Sequence, residues 1–198
     1  MREENRSLRQ EQIEAAAYEL LETKGYAGTS MQGIARKARA SNETLYNWYG
    51  DKQGLFRALV TRNAAEVKGH LESELETDTD ALSILESLGP KLLDLLTGDR
   101  AVALNRAAAA DSTGELGATL SASGREAVFP LLEAVLLRAR SSGALRFDDS
   151  AQAVGLYLDL LIGDLQIRRV IGRQPRPDAA ARAARAARAV RYLKALLV

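Results

Sequence analysis

The chain has 198 residues, of which 46% are apolar and 27% charged, and its 27 basic and 26 acidic side chains leave a net charge of +1. This is the balance of an ordinary globular protein, long enough for one large domain or two small ones. No run approaches the roughly 18 apolar residues of a membrane span, and the absence of cysteine excludes disulfide frameworks, thiolate nucleophiles and Cys-based zinc sites.

Residues 1–10 are charged and lack an apolar core, so no secretory signal is expected and a cytoplasmic location is. Ser7 and Gln10 have the spacing of a capping box, which predicts a helix starting at Ser7. Ile13, Ala16, Ala17, Leu20 and Leu21 then fall on one helical face, and Gly25 suits the left-handed residue of a stop. A short second helix follows Thr29 or Ser30, either of which can cap it, and runs to about Ala38. A third, about two turns long, follows Ser41 and ends at Gly50. Asp51 caps a long fourth helix over about 51–76.

Further helices are predicted near 80–97, 100–111, 115–142, 149–172 and 178–197. Pro130 lies inside one of these patterns, where it would kink the helix or mark its true start. No alternating run reads as a strand. The expectation is an all-α chain of about nine helices. It divides into a helix-turn-helix domain over 1–52 and a second helical domain over 53–198. Helix 149–172 carries apolar residues nearly all round, including Leu156, Leu158, Leu160, Ile162, Ile167 and Ile171. One face would meet the domain core and another a second copy of the chain, most simply in a cyclic dimer.

Two short helices joined by a three- or four-residue turn over Thr29–Lys52 form a helix-turn-helix unit. In its second helix Leu45, Trp48 and Tyr49 share the packing face, while Glu43, Thr44 and Asn47 point outward. Hydroxyl and amide side chains can read base edges, and Asn pairs well with adenine. Asn42, in the first turn, reaches the same groove. Tyr46 and Lys52 suit phosphate, one through a hydroxyl and one through charge. Residues 24–57 hold six basic side chains against two acids, an excess that a solvated surface explains as well as nucleic acid does.

Gly25-Tyr26 through Phe56 resembles the N-terminal DNA-binding domain of the TetR/AcrR family of transcriptional regulators. The matching elements are Lys24-Gly25-Tyr26, Thr29-Ser30, Ile34-Ala35, Ser41, Thr44-Leu45-Tyr46, Tyr49 and Gly50-Asp51-Lys52 before Leu55. The resemblance implies a DNA-facing set of Ser30, Gln32, Asn42, Glu43, Thr44, Tyr46, Asn47 and Lys52. Asn105-Arg106, Gly124-Arg125, Phe129-Pro130 and Gly143 resemble the AefR-like C-terminal subgroup.

The resemblance further implies a homodimer through helices 149–172 and 178–197. It implies a near-palindromic double-stranded operator and a small-molecule effector in the C-terminal domain that releases DNA. Two positions depart from the family pattern. Arg39 stands where the family usually has glycine, and a left-handed arginine would cost about 1–2 kcal/mol. Glu43 either accepts from a cytosine amino group or stays clear of the DNA.

Other features read as structural. His70, the single histidine, is expected to be a solvated helix residue. Asp159 and Asp164 read as acids paired to Arg168 or Arg169. Arg182, Arg185, Arg188 and Arg191 read as a solvated stripe over an alanine-rich face. No nucleophile motif, phosphate loop or metal-ligand pair is present, so neither an enzyme nor a cofactor or metal is expected. The competing reading is a helical carrier or interaction module whose helix-turn-helix is only scaffold.

Overall fold

A computed structural model describes residues 2–197, with side chains from residue 5 onward. The described residues form α1 (Arg2–Lys24), α2 (Met31–Lys37), α3 (Asn42–Tyr49), α4 (Lys52–Leu75), α5 (Ala81–Thr97) and α6 (Asp99–Ala109). They continue with α7 (Glu115–Leu120), a π-helical turn (Ser121–Arg125), α8 (Glu126–Ser141), α9 (Ser150–Ile162), α10 (Leu165–Val170) and α11 (Ala179–Leu196). No strand occurs among them. Two compact units result, one from residues 1–62 with 103–123 and one from 63–102 with 124–198.

Three expectations about helix ends change. Ser7 lies inside α1 and does not begin it, because no glycine, proline or β-branched residue precedes it to break the helix. The helix expected over 115–142 divides at the π turn. Pro130 cannot donate to the carbonyl of Glu126, and the irregular turn lies directly before that residue. The helix expected over 149–172 breaks at Gly163, whose φ is +52°. These two breaks turn nine expected helices into eleven.

The break at Gly163 leaves Ile167 and Ile171 on and beside α10, while α9 alone still carries apolar residues nearly all round: Tyr157 and Leu161 are buried, and Leu156, Leu158, Leu160 and Ile162 are partly buried. The end of α9 is held by Arg185, whose Nε donates to Leu161 O at 2.5 Å and whose Nη2 donates to Ile162 O at 2.9 Å. Those carbonyls are the orphans of a helix C-terminus, and a cation there also opposes the negative end of the dipole.

Each unit has its own core. In the first, Ile13 and Ala17 of α1 meet Ile34 of α2, Leu45 of α3, and Leu55, Phe56 and Leu59 of α4. Leu104 and Ala107 of α6 and Leu116 of α7 complete that cluster. In the second, Ile84, Leu85 and Leu88 of α5 pack among Val135 and Leu136 of α8, Val154 and Tyr157 of α9, and Val190 and Leu193 of α11. Tyr157 Oη donates to Leu85 O at 2.8 Å, so its buried hydroxyl is satisfied. Burial holds its phenol well above the ordinary range.

Several polar residues are also less solvated than their sequence context suggests. His70 is half-buried, with Nε2 3.3 Å from Ser87 Oγ. Arg182 reaches Asp94 at 3.0 Å, so with Arg185 two of the four stripe arginines are anchored, while Arg188 and Arg191 are exposed. Asp164 does pair with Arg168, at 3.5 Å, but Arg169 turns to Asp99 at 2.6 Å. Apart from the Asp164–Arg168 pair, these partners are far apart in sequence, so local spacing could not reveal them.

Candidate nucleic-acid interface

The α2–α3 unit is built from its caps. Ser30 Oγ accepts from the Gly33 N–H at 3.1 Å and starts α2, which decides between Thr29 and Ser30. Thr29 is buried, and its Oγ1 donates to Gly25 O at 2.8 Å. Ser41 Oγ accepts from the Thr44 N–H at 3.0 Å and lies 2.8 Å from Thr44 Oγ1. Each capping hydroxyl satisfies an amide that would otherwise lack a partner.

The turn between the helices is a Schellman stop. Ala40 N–H donates to Ala35 O at 2.9 Å and Arg39 N–H to Arg36 O at 3.2 Å. Arg39 has φ +52° and is the one non-glycine residue with positive φ among those described. The left-handed turn residue is therefore kept, although its side chain is not glycine.

α3 projects from this frame. Leu45 is fully buried, and Trp48 and Tyr49 are half-buried beside it. Asn42, Glu43, Tyr46 and Asn47 are exposed, as is Gln32 on α2. Thr44 is half-buried with its hydroxyl beside Ser41, which leaves Asn47 as the freer hydrogen-bonding group. Glu43 sits in the first turn of α3, where a carboxylate also favours the helix dipole.

The entry to α4 is tightly specified. Asp51 Oδ1 accepts from the Gly54 N–H at 2.6 Å. A Cβ on Gly54 would lie 2.0 Å from Tyr49 O, so that glycine is required by space. Lys52 is half-buried, with Nζ 3.9 Å from the centre of the Tyr26 ring. Burial lowers its ammonium below the usual range. Burial, and then the nearby Asp51, raise the Tyr26 phenol. Lys52 is thus held on an aromatic face.

Sequence reasoning missed Arg9. Its Nη2 donates to Arg39 O at 2.5 Å and its Nη1 to Ala38 O at 3.2 Å. The available signal was its place four residues before Ile13, on the continuation of the buried stripe of α1.

Residues 83–196 match the C-terminal domain of AefR-like transcriptional repressors, and residues 13–59 match the bacterial regulatory proteins of the tetR family. The chain belongs to the TetR family. A TetR transcriptional regulator from Agrobacterium tumefaciens is 32% identical, with 96% of this chain and 94% of that one covered at a TM-score of 0.74. A TetR-family regulator from Mesorhizobium loti is 25% identical over 96% of both chains, at a TM-score of 0.78. The HTH-type transcriptional regulator YvkB of Bacillus subtilis is 36% identical over 81 residues, a stretch that spans 41% of each protein. This TetR chain is therefore a transcriptional regulator and not an enzyme. Among its described residues no helix is long and apolar enough to cross a membrane, and no group of three or more acidic, His or Cys side chains could hold a metal ion.

Proposed function

We propose that the protein is a cytoplasmic, ligand-responsive repressor that binds a near-palindromic double-stranded operator as a homodimer. The observation that carries this reading is the outward face of α3. Asn42, Glu43, Tyr46 and Asn47 are exposed on a short helix whose opposite side is anchored by the fully buried Leu45. A rigid helix of that kind fits the major groove, and two copies related by a dyad fit two half-sites about one or more helical turns apart. Ser30, Gln32 and Thr44 flank the reading face. Tyr46 supplies a phosphate contact, and Lys52 can supply another once its ammonium turns from Tyr26.

On this reading residues 1–52 recognise DNA, the helix over about 51–76 links them to the rest, and residues 53–198 bind the effector and dimerise. The dimer face is supported by four large apolar side chains on or beside the last helices. Ile167, Ile171, Tyr192 and Leu196 are 56%, 60%, 47% and 62% exposed. Burying such groups against a second copy removes apolar area from water. Effector binding is supported by a protein of the same fold, the FadR regulator of Bacillus subtilis, which holds stearoyl-CoA and is 18% identical at a TM-score of 0.73. An effector that lowers DNA affinity must itself be bound more weakly by the DNA complex, by the same factor.

An anisotropy titration against duplexes spanning the DNA beside the protein's own gene tests the proposal. Saturable binding to one fragment, weakening steeply with salt, is the expected result. Equal, weak binding to every fragment would overturn it.

A further inference from the structure

We infer that Arg9 is a positioning residue for DNA recognition, which locks the left-handed turn between α2 and α3 from outside the helix-turn-helix. The inference rests on the reading of α3 as the DNA-reading helix. Two independent observations carry it. Arg39 takes the turn position with φ +52°, a conformation that an L side chain disfavours. The Schellman bonds employ the N–H groups of Arg39 and Ala40, while the Ala38 and Arg39 carbonyls accept from the Arg9 guanidinium, at 3.2 Å and 2.5 Å.

The planar guanidinium suits two adjacent carbonyls. A charged donor also makes a stronger bond than a neutral one. A third contact, from Nη1 to Gln12 Oε1 at 2.9 Å, fixes the side chain on α1. The next basic residue upstream contacts α3 itself, with Arg6 Cζ 5.6 Å from the centre of the Trp48 ring. Arg9 lies before residues 13–59, the segment that matches the family. A turn built on glycine adopts the left-handed state without help, whereas one built on Arg39 is held there by an external donor.

The consequence is a coupling between positions 9 and 39. Arg9 touches the turn's backbone and is not assigned to DNA. Its loss should therefore loosen the placement of α3 without removing a phosphate contact.

The test uses Arg9→Ala, Arg9→Lys and Arg39→Gly singly, with Arg9→Ala/Arg39→Gly as the double variant. Thermal unfolding first establishes that each is folded. The probe is the duplex that the unmodified protein enriches from a random-sequence DNA pool. Arg9→Ala should weaken binding about ten-fold with an unchanged slope of log affinity against log salt. Arg9→Lys, which cannot bridge both carbonyls, should restore only part of the loss. In the Arg39→Gly background, Arg9→Ala should change affinity less than two-fold. Comparing backgrounds cancels any contact that Arg39 itself makes.

A second readout needs no DNA. Amide exchange at Arg39 and Ala40 should rise about ten-fold in Arg9→Ala and not in the double variant. Three results would overturn the inference: a salt slope reduced by about one, equal losses in both backgrounds, or unaltered exchange at these amides. If the unmodified protein enriches no sequence, the DNA-reading proposal fails by itself, and the exchange measurement still decides whether Arg9 locks the turn.

Discussion

Gly89 of α5 and Ala186 of α11 meet so closely that a Cβ on the glycine would lie 2.5 Å from Ala186 Cβ. The same Cβ would lie 3.3 Å from Leu161 Cδ1 on α9, so three helices converge where no side chain fits. Helix propensity alone would make Gly89→Ala stabilising by about 1 kcal/mol. The crowding predicts the opposite sign, a destabilisation of about 1–3 kcal/mol as α5 and α11 are forced apart. Urea unfolding measures it, and a stabilised variant would show that these helices do not pack as described.

Tyr49 offers a test in the first unit. Its Oη is buried with no hydrogen-bond partner among the described residues, and its phenol is pushed up to about 12 by burial and by the Glu14 carboxylate, against an opposing pull from Arg62. Raising an acid's pKa on folding gives stability that is complete below the ordinary value near 10.0 and is lost as pH climbs toward about 12. Tyr49→Phe removes an unsatisfied hydroxyl while keeping the ring. It should leave stability at pH 7 unchanged or higher by up to about 1 kcal/mol. The decline in melting temperature between pH 10 and 12 should also be shallower than in the parent protein. A variant destabilised by more than about 1 kcal/mol would mean that the hydroxyl has a partner.

Most of the helix-turn-helix was legible because its signals are local. Ser30, Ser41 and Asp51 cap the helices they precede, and Gly25 and Gly50 take the left-handed stops. The outward set on α3 followed from helical period, since Leu45 fixes which side is inward. Gly163 was not read as a break, because the apolar residues on either side continue a plausible helical pattern. Arg9, Arg138 and Arg185 were invisible for another reason: their partners are backbone carbonyls at positions 38, 75 and 161, which leave no trace in side-chain spacing. Lys52 was assigned to phosphate by resemblance and charge, and neither reports the Tyr26 face that holds it.

Arg138 closes the end of α4. Its Nη1 donates to Thr77 O at 2.9 Å and its Nη2 to Leu75 O at 2.6 Å, with Glu74 O and Thr79 O at 3.4 and 3.3 Å. One side chain thus serves a cluster of carbonyls at a helix end and the loop beyond it. Arg138→Ala should cost about 1–3 kcal/mol in thermal or urea unfolding. Arg138→Lys should recover little, because a point charge cannot span the fan of acceptors. Full recovery by lysine would show that charge, and not the fork, is what matters.

The proposed dimer face predicts a change of mass. Ile171→Asp and Leu196→Asp each place a charge at a position more than half exposed in the single chain. Neither should unfold it, but together they should shift sedimentation from dimer to monomer by opposing burial at the shared face. A double variant that sediments as the parent does would place the dimer contact elsewhere.

The account turns most directly on Asn47, an exposed amide side chain on α3. The measurement is the affinity of Asn47→Ala for the enriched duplex and for a panel of its single-base substitutions, at fixed salt. The account predicts a loss of about 1–3 kcal/mol on the enriched duplex, and a loss of discrimination confined to one or two base pairs per half-site. Equal weakening across the panel, or an unchanged profile, would contradict the assignment of α3 as the helix that reads sequence.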